Sequence, residues 1–167
     1  MNPTENSTNL TPIPTQAETG RREALITRIF DAPRDLVFKA WTDPKHVQQW
    51  WGPRMFTNPV CELDARTGGD ILIHMQGPDG TVYPMKGTFN EVIENERLVF
   101  TSTAGENEQG TPWIEALNTV TFEDEGSKTK MTLHVVVKRA APDAKQALEG
   151  MDEGWNQSFD KLAELLA

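Results

Sequence analysis

Three histidines, one cysteine and scattered carboxylates are the groups in this chain that could do chemistry. His46, His74 and His134 lie far apart, and no HxH, HExxH or CxxC spacing occurs, so neither a metal nor another cofactor is expected. Cys61 with a distant histidine could serve as nucleophile and base. A lone thiol in a strand reads better as a buried side chain. Asp152 and Glu153 near Trp155, and Glu115 near Trp113, would gain raised pKa values if desolvated in a hollow, and could then act as acid or base. A helical wheel puts Glu153 on the solvent face and Asp152 only at the margin of the apolar stripe, so surface charge is the better reading. Gly68-Gly69 looks like a turn into a strand, not a phosphate loop. No catalytic residue follows from these groups.

The aromatic and methionine residues form a more pointed set. Trp50, Trp51, Met75, Tyr83, Met85, Trp113, Met151, Trp155 and Phe159 all belong to segments that would surround a hollow. Flexible thioethers beside rigid aromatic walls suit a small hydrophobic or aromatic ligand. The plainer reading is core filling. Seven helix anchors at about 1.5–3 kcal/mol each give roughly 10–20 kcal/mol of gross burial. Singly, each residue reads as core; as a group they read as a partly open pocket, with Tyr83 and Trp113 its best hydrogen-bonding groups.

The elements that would position this set follow from periodicity. Between Pro142 and Ala167, the residues Ala144, Leu148, Met151, Trp155, Phe159, Leu162 and Leu166 recur at spacings of four and three, one stripe of a long helix. Lys145, Gln146, Glu149, Glu153, Asn156, Asp160 and Glu164 take the other side. Gly150 and Gly154 share a flank of that helix. They mark either a bare strip that a ligand or loop can approach, or a break after Glu149 with a second helix from Met151.

Upstream the pattern is that of strands: Arg22–Phe30, Thr57–Ala65, Asp70–Gln76, Val82–Ile93, Arg97–Thr103, Trp113–Glu123 and Lys130–Lys138. Alternation points Ile71, Ile73, Met75, Tyr83, Met85, Phe89, Ile93, Leu98, Phe100, Ile114, Val120, Phe122, Met131, Leu133, Val135 and Val137 inward. Two short helices follow the first strand. Asp31-Ala-Pro33 would cap one with Leu36, Val37, Ala40 and Trp41 as its apolar face, and Thr42-Asp43-Pro44 would start the other, which Gly52-Pro53 stops. Residues 1–20 hold three prolines, five threonines and no basic residue, and read as a disordered tail; 21–167 form one domain.

Charge narrows the partners. The 167 residues carry 25 acidic against 16 basic side chains, a net charge of −9, which disfavours nucleic acid and anionic membranes. No apolar run approaches the ~20 residues of a membrane span, no secretory signal is visible, and one cysteine calls for no oxidising compartment. A cytoplasmic location is the expectation.

The order strand, two short helices, six strands, long helix is an α+β arrangement. Phe30-Asp-Ala-Pro33, Trp41-Thr-Asp-Pro44 with Trp50-Trp51-Gly52-Pro53, Gly68-Gly69-Asp70, Gly77-Pro-Asp-Gly80 with Tyr83-Pro84, Glu96-Arg-Leu-Val-Phe100 and Glu153-Gly-Trp155 stand in an order and spacing that covers nearly everything from residue 22 onward. In these stretches the chain resembles the START-like (SRPBCC, Bet v 1-like) helix-grip superfamily. It is most similar to the branch named after activators of the ninety-kilodalton heat-shock chaperone's ATPase. The resemblance implies a curved seven-stranded antiparallel sheet gripping the C-terminal helix around a cavity.

It implies no single reaction. The expected function is therefore binding of a small hydrophobic or aromatic ligand between sheet and helix, gated by the Gly105–Pro112 loop and the segment around Trp50–Pro53. Two alternatives stand beside it: a cyclase- or hydrolase-type enzyme using the same cavity, and a chaperone cofactor or protein-interaction module, including a homodimer. On the helical stripe alone, Trp155→Ala should cost about 3–5 kcal/mol as a core cavity, read as a lowered thermal midpoint.

Overall fold

Seven alternating segments pair antiparallel into one sheet of order β1-β7-β6-β5-β4-β3-β2 in the computed structural model, which describes residues 23–106 and 112–167. The strands are β1 (Glu23–Phe30), β2 (Thr57–Leu63), β3 (Asp70–Gln76), β4 (Val82–Ile93), β5 (Arg97–Glu106), β6 (Pro112–Glu125) and β7 (Lys128–Ala140). Between β1 and β2 lie α1 (Arg34–Thr42) and α2 (Pro44–Trp50). The chain ends in a short 3₁₀ turn (Pro142–Ala144), α3 (Lys145–Glu149) and α4 (Met151–Leu166). The tail expected over residues 1–20 and most of the Gly105–Pro112 loop lie outside the described residues.

The inward face is apolar because side chains alternate across each strand. Met131, Leu133, Val135 and Val137 of β7 are all buried, as are Leu98, Phe100, Val120 and Phe122 on the neighbouring strands. Among the described residues, register shifts bend the sheet at Thr57/Val60, Phe89/Glu91 and Glu115/Ala116. The second overturns one expectation. Phe89 pairs with Phe100 but Val92 pairs with Leu98, so the extra residue reverses the parity of the strand end. Val92 thus packs against the core, and Ile93 turns out to solvent at 36% exposure.

The helices repeat the lesson of local geometry. Asp43 caps α2, its Oδ1 accepting from the Lys45 amide at 2.9 Å with Pro44 at the first helical position. Asp31 does not cap α1: the cap position is Pro33, and no side chain bonds there. The buried face of α1 is Val37, Phe38, Ala40 and Trp41, while Leu36 is exposed. Phe38 shares a face with Trp41 three residues on, which Leu36 does not.

The C-terminal segment is not one helix. Gly150 leaves helical geometry at φ −90°, ψ 3° and separates α3 from α4. Gly154 takes the other role weighed for the pair, since a Cβ there would sit 3.7 Å from Pro53 Cγ, where the loop after α2 approaches the helix. Arg28 of β1 fastens α4, its guanidinium donating to Asp160 Oδ1 at 2.7 Å and to the Asn156 carbonyl at 3.1 Å. Ala144, Leu148, Phe159 and Leu162 are fully buried, whereas Met151, Trp155 and Leu166 are only partly so.

That division revises the mutational expectation. Phe159→Ala should cost about 3–5 kcal/mol, and Trp155→Ala about 2 kcal/mol, because part of its ring surface already faces solvent. Paired denaturant melts check the order; an equal or greater loss for Trp155 would contradict the packing described.

Candidate functional site

An aromatic cluster occupies the space between the short helices, α4 and the concave face of the sheet. Its hub is Trp41, whose ring centroid lies 4.8 Å from Trp50, 6.3 Å from Trp51, 6.2 Å from Trp155 and 6.1 Å from Phe159. The indole nitrogens are already engaged: Trp41 Nε1 donates to Met131 Sδ at 3.1 Å, and Trp50 Nε1 to the Ala40 carbonyl at 2.8 Å. Buried aromatic N–H groups need such partners. Trp50, Trp51, Phe159 and Met85 are therefore parts of a packed interior.

The remaining expected wall residues lie elsewhere. Met75, Met151 and Trp155 pack against the core but keep part of their surface open. Tyr83 pairs in register with Met75 and stands at the rim, 39% exposed, its ring 6.0 Å from that of Phe56. The Trp113 side chain lies outside the described residues. So the inward face changes along its length. Phe30, Leu98, Val120 and Phe122 are buried, whereas Met75, Ala104, Ile114, Met151 and Trp155 keep part of their surface.

The interior also holds a cavity of about 10 Å³, the room of about one water molecule. Trp41, Trp51, Ile73, Met85, Phe89 and Phe100 are among its wholly apolar walls, so it lies under the short helices rather than under α4. No polar side chain lines it to hold a water in place.

Among the described residues, four polar side chains are buried with the apolar ones: Asn58, Asn118, Thr129 and Ser158. Three of them serve the backbone. Asn58 Nδ2 donates to the carbonyls of Gln48 (3.0 Å) and Trp51 (2.9 Å), tying β2 to α2. Thr129 Oγ1 donates to the Ala32 carbonyl at 2.7 Å, and Ser158 Oγ to that of Gly154 at 3.1 Å. Asn118 differs. It is 2% exposed at an inward position of β6, and its Nδ2 donates to the Phe100 carbonyl (3.1 Å) and to Ser102 Oγ (2.9 Å). Neither residue was singled out from the sequence. The signal was present: asparagine at an inward position between Ala116 and Val120 breaks an otherwise apolar alternation.

The segment after α2 is latched to α4. Lys161 Nζ donates to the carbonyls of Pro53 (3.3 Å) and Trp51 (3.5 Å), the Arg54 amide donates to Gln157 Oε1 at 3.0 Å, and Arg54 pairs with Glu164. Partial burial, with Arg54 nearby, holds the Lys161 ammonium below its ordinary pKa. Gly52, at φ +89°, lets this loop press onto the groove, since a Cβ there would sit 3.1 Å from Met75 Sδ.

These features make a helix-grip architecture: a curved antiparallel sheet closed over its C-terminal helix. The profile of one family, described as activator of Hsp90 ATPase homolog 1-like protein, matches residues 31–167. The chain belongs to that family. Solved structures share the fold. A protein from Nitrosomonas europaea is 27% identical with a TM-score of 0.73, covering 88% of this chain and 95% of its own. A protein from Arthrobacter aurescens is 26% identical with a TM-score of 0.74, covering 95% and 92%. A Silicibacter pomeroyi protein bearing the family's name is 23% identical with a TM-score of 0.73 over 86% of this chain and 96% of its own. No curated protein matches the chain.

In this activator-homolog domain, the titratable groups are scattered. Among the described residues no three His, Cys, Asp or Glu side chains gather closely enough to hold a metal ion. His134 meets Glu23 on the outer face of the sheet. No helix among the described residues is long and apolar enough to cross a membrane. Cys61, partly buried on β2, has its thiol pushed up to about 11 from 9.0, first by burial and then by Glu62.

The Cys61 shift sets a pH dependence. The folded thiol keeps its proton between pH 9.0 and about 11 while the unfolded thiol loses it, so this contribution to stability is present below pH 9.0 and is lost as pH rises toward 11. Cys61→Ala should flatten that part of the stability–pH curve, and wild-type Cys61 should alkylate slowly at pH 8. Denaturant melts across that range, with iodoacetamide labelling followed by mass spectrometry, check both.

Proposed function

We propose that this domain binds a small hydrophobic or aromatic molecule at the open end of the groove between the sheet and α4. The observation that carries the reading is the grouping of Met75, Ile114, Met151 and Trp155. All four are apolar, pack against the core from the side of the sheet and of α4, and keep part of their surface. Organic ligands need pockets of ~300 Å³ or more, so the space must be made rather than found. Methionine supports that, since three rotatable bonds let Met75 and Met151 swing aside at little cost. Tyr83 and Phe56 stand at the rim, where a ligand would pass. The family membership fits a binding or cofactor role.

A second reading, docking onto another protein, is favoured by one feature: Leu25 and Ile29 of edge strand β1 are 68% and 56% exposed. A stable complex on size exclusion that Leu25→Lys disrupts would support it.

For the ligand reading, native mass spectrometry of freshly purified protein should find a bound small molecule, or titration with aromatic and lipid probes should give saturable tryptophan quenching. Met151→Glu, which puts a charge in the groove, should weaken binding by about tenfold or more while the protein stays folded. An unliganded mass, together with no thermal shift across the probe set, would sink the proposal.

A further inference from the structure

The inward face of β6 reads Ile114, Ala116, Asn118, Val120, Phe122, and only the asparagine is polar. Burying an amide is unfavourable unless its hydrogen bonds are made. Here they are made on one side only. Asn118 Nδ2 uses both of its protons, on the Phe100 carbonyl and on Ser102 Oγ, with a longer 3.5 Å contact to the Ala116 carbonyl. Ser102 accepts that bond through a lone pair, so its own hydroxyl proton is still available. Among the described residues nothing accepts that proton, and nothing donates to Asn118 Oδ1. One donor and one acceptor therefore stand side by side.

Their surroundings leave room for a visitor. Strand register sets Gly87, Ser102 and Ala116 in one row across β4, β5 and β6. That row is made of small side chains, between a row holding Phe89, Phe100 and Asn118 and one holding Met85, Ala104 and Ile114. Gly87 cannot be enlarged, because a Cβ would sit 2.3 Å from the Thr101 carbonyl oxygen. The shallow row borders the partly open end of the groove, and Ser102 is itself partly exposed there.

The geometry points to a ligand with an apolar body and one neutral hydroxyl, a phenol or an alcohol, whose oxygen accepts from Ser102 and whose proton goes to Asn118 Oδ1. This rests on the ligand-binding reading above and names the group that the site recognises. A carboxylate could accept from Ser102 but has no proton for Asn118 Oδ1. An ammonium could donate to Asn118 Oδ1 but cannot accept from Ser102. Either would also bury a charge against two neutral groups. A hydrocarbon of the same shape would leave both polar groups dry, a loss of about tenfold or more in affinity.

The test uses shape-matched pairs, para-cresol against para-xylene and beta-naphthol against beta-methylnaphthalene, titrated into the full-length protein and followed by tryptophan fluorescence and ligand-observed NMR. The expected result is that each hydroxyl compound binds about tenfold or more tightly than its methyl partner. In Ser102→Ala and Asn118→Leu, each checked by thermal melt, that ratio should collapse toward one while the methyl compounds bind about as before. A purely structural role for Asn118 would weaken both members of a pair alike and leave their ratio intact. Equal binding within pairs, or a preference that survives both substitutions, overturns the hydroxyl inference and leaves the groove as a general apolar site. Failure of all four compounds to bind overturns the inference and the ligand-binding reading together.

Discussion

Phe159 is the point at which this fold closes. It has no exposed surface, and its ring centroid lies 6.5 Å from Phe30 on β1, 6.1 Å from Trp41 on α1, 6.2 Å from Trp50 on α2 and 5.5 Å from Trp155 one turn earlier on α4. One side chain thus ties the edge of the sheet, both short helices and the C-terminal helix into a single packed body. Offset and edge-to-face contacts of this kind add about 0.5–1.5 kcal/mol each beyond area burial. With them in place the curve of the sheet is held against α4, and every feature of the groove inherits its position from that contact.

The strand order was legible because a half-buried strand writes its two faces into alternate residues. The stretch from Met131 to Val137 needs no other information to be oriented. What alternation cannot carry is a change of phase. The extra residue between Phe89 and Glu91 leaves no mark of its own, so alternation alone puts Ile93 on the face that Val92 occupies. The break at Gly150 was visible as one of two possibilities, because a glycine weakens a helix whether or not the helix ends there. Which one occurs depends on tertiary packing, with Leu148 held in a separate cluster beside Val137 and Ala140.

The site was harder to read for a related reason. Aromatic residues at helical spacing announce that something apolar is nearby, but not whether it is a ligand or another aromatic ring. Trp50 and Phe159 are enclosed around Trp41, whereas Trp155, stacked 6.2 Å from the same ring, and Met151 keep open surface, although all four sit on comparable stripes. The difference is position along the groove, which only the assembled sheet defines. Asn118 was detectable in principle, since a polar residue at an inward position contradicts its neighbours. Such contradictions mark places where stability has been traded for something else.

How the groove opens can be argued from what holds it shut. The loop after α2 is fastened to α4 by the Arg54–Glu164 pair, which is exposed and therefore worth little, ~0–1 kcal/mol. Lys161 adds two bonds to carbonyls, weakened by their length. Those latches alone would yield easily. Lifting the loop, however, would also draw out Trp51, which is buried, packs 5.2 Å from Trp155, and receives Asn58 on its carbonyl. Moving Trp51 would therefore cost far more than the latch. Rotation of Met75 and Met151 disturbs none of these contacts, so space is made most cheaply by the two methionines, with the loop and its tryptophan as a fixed wall.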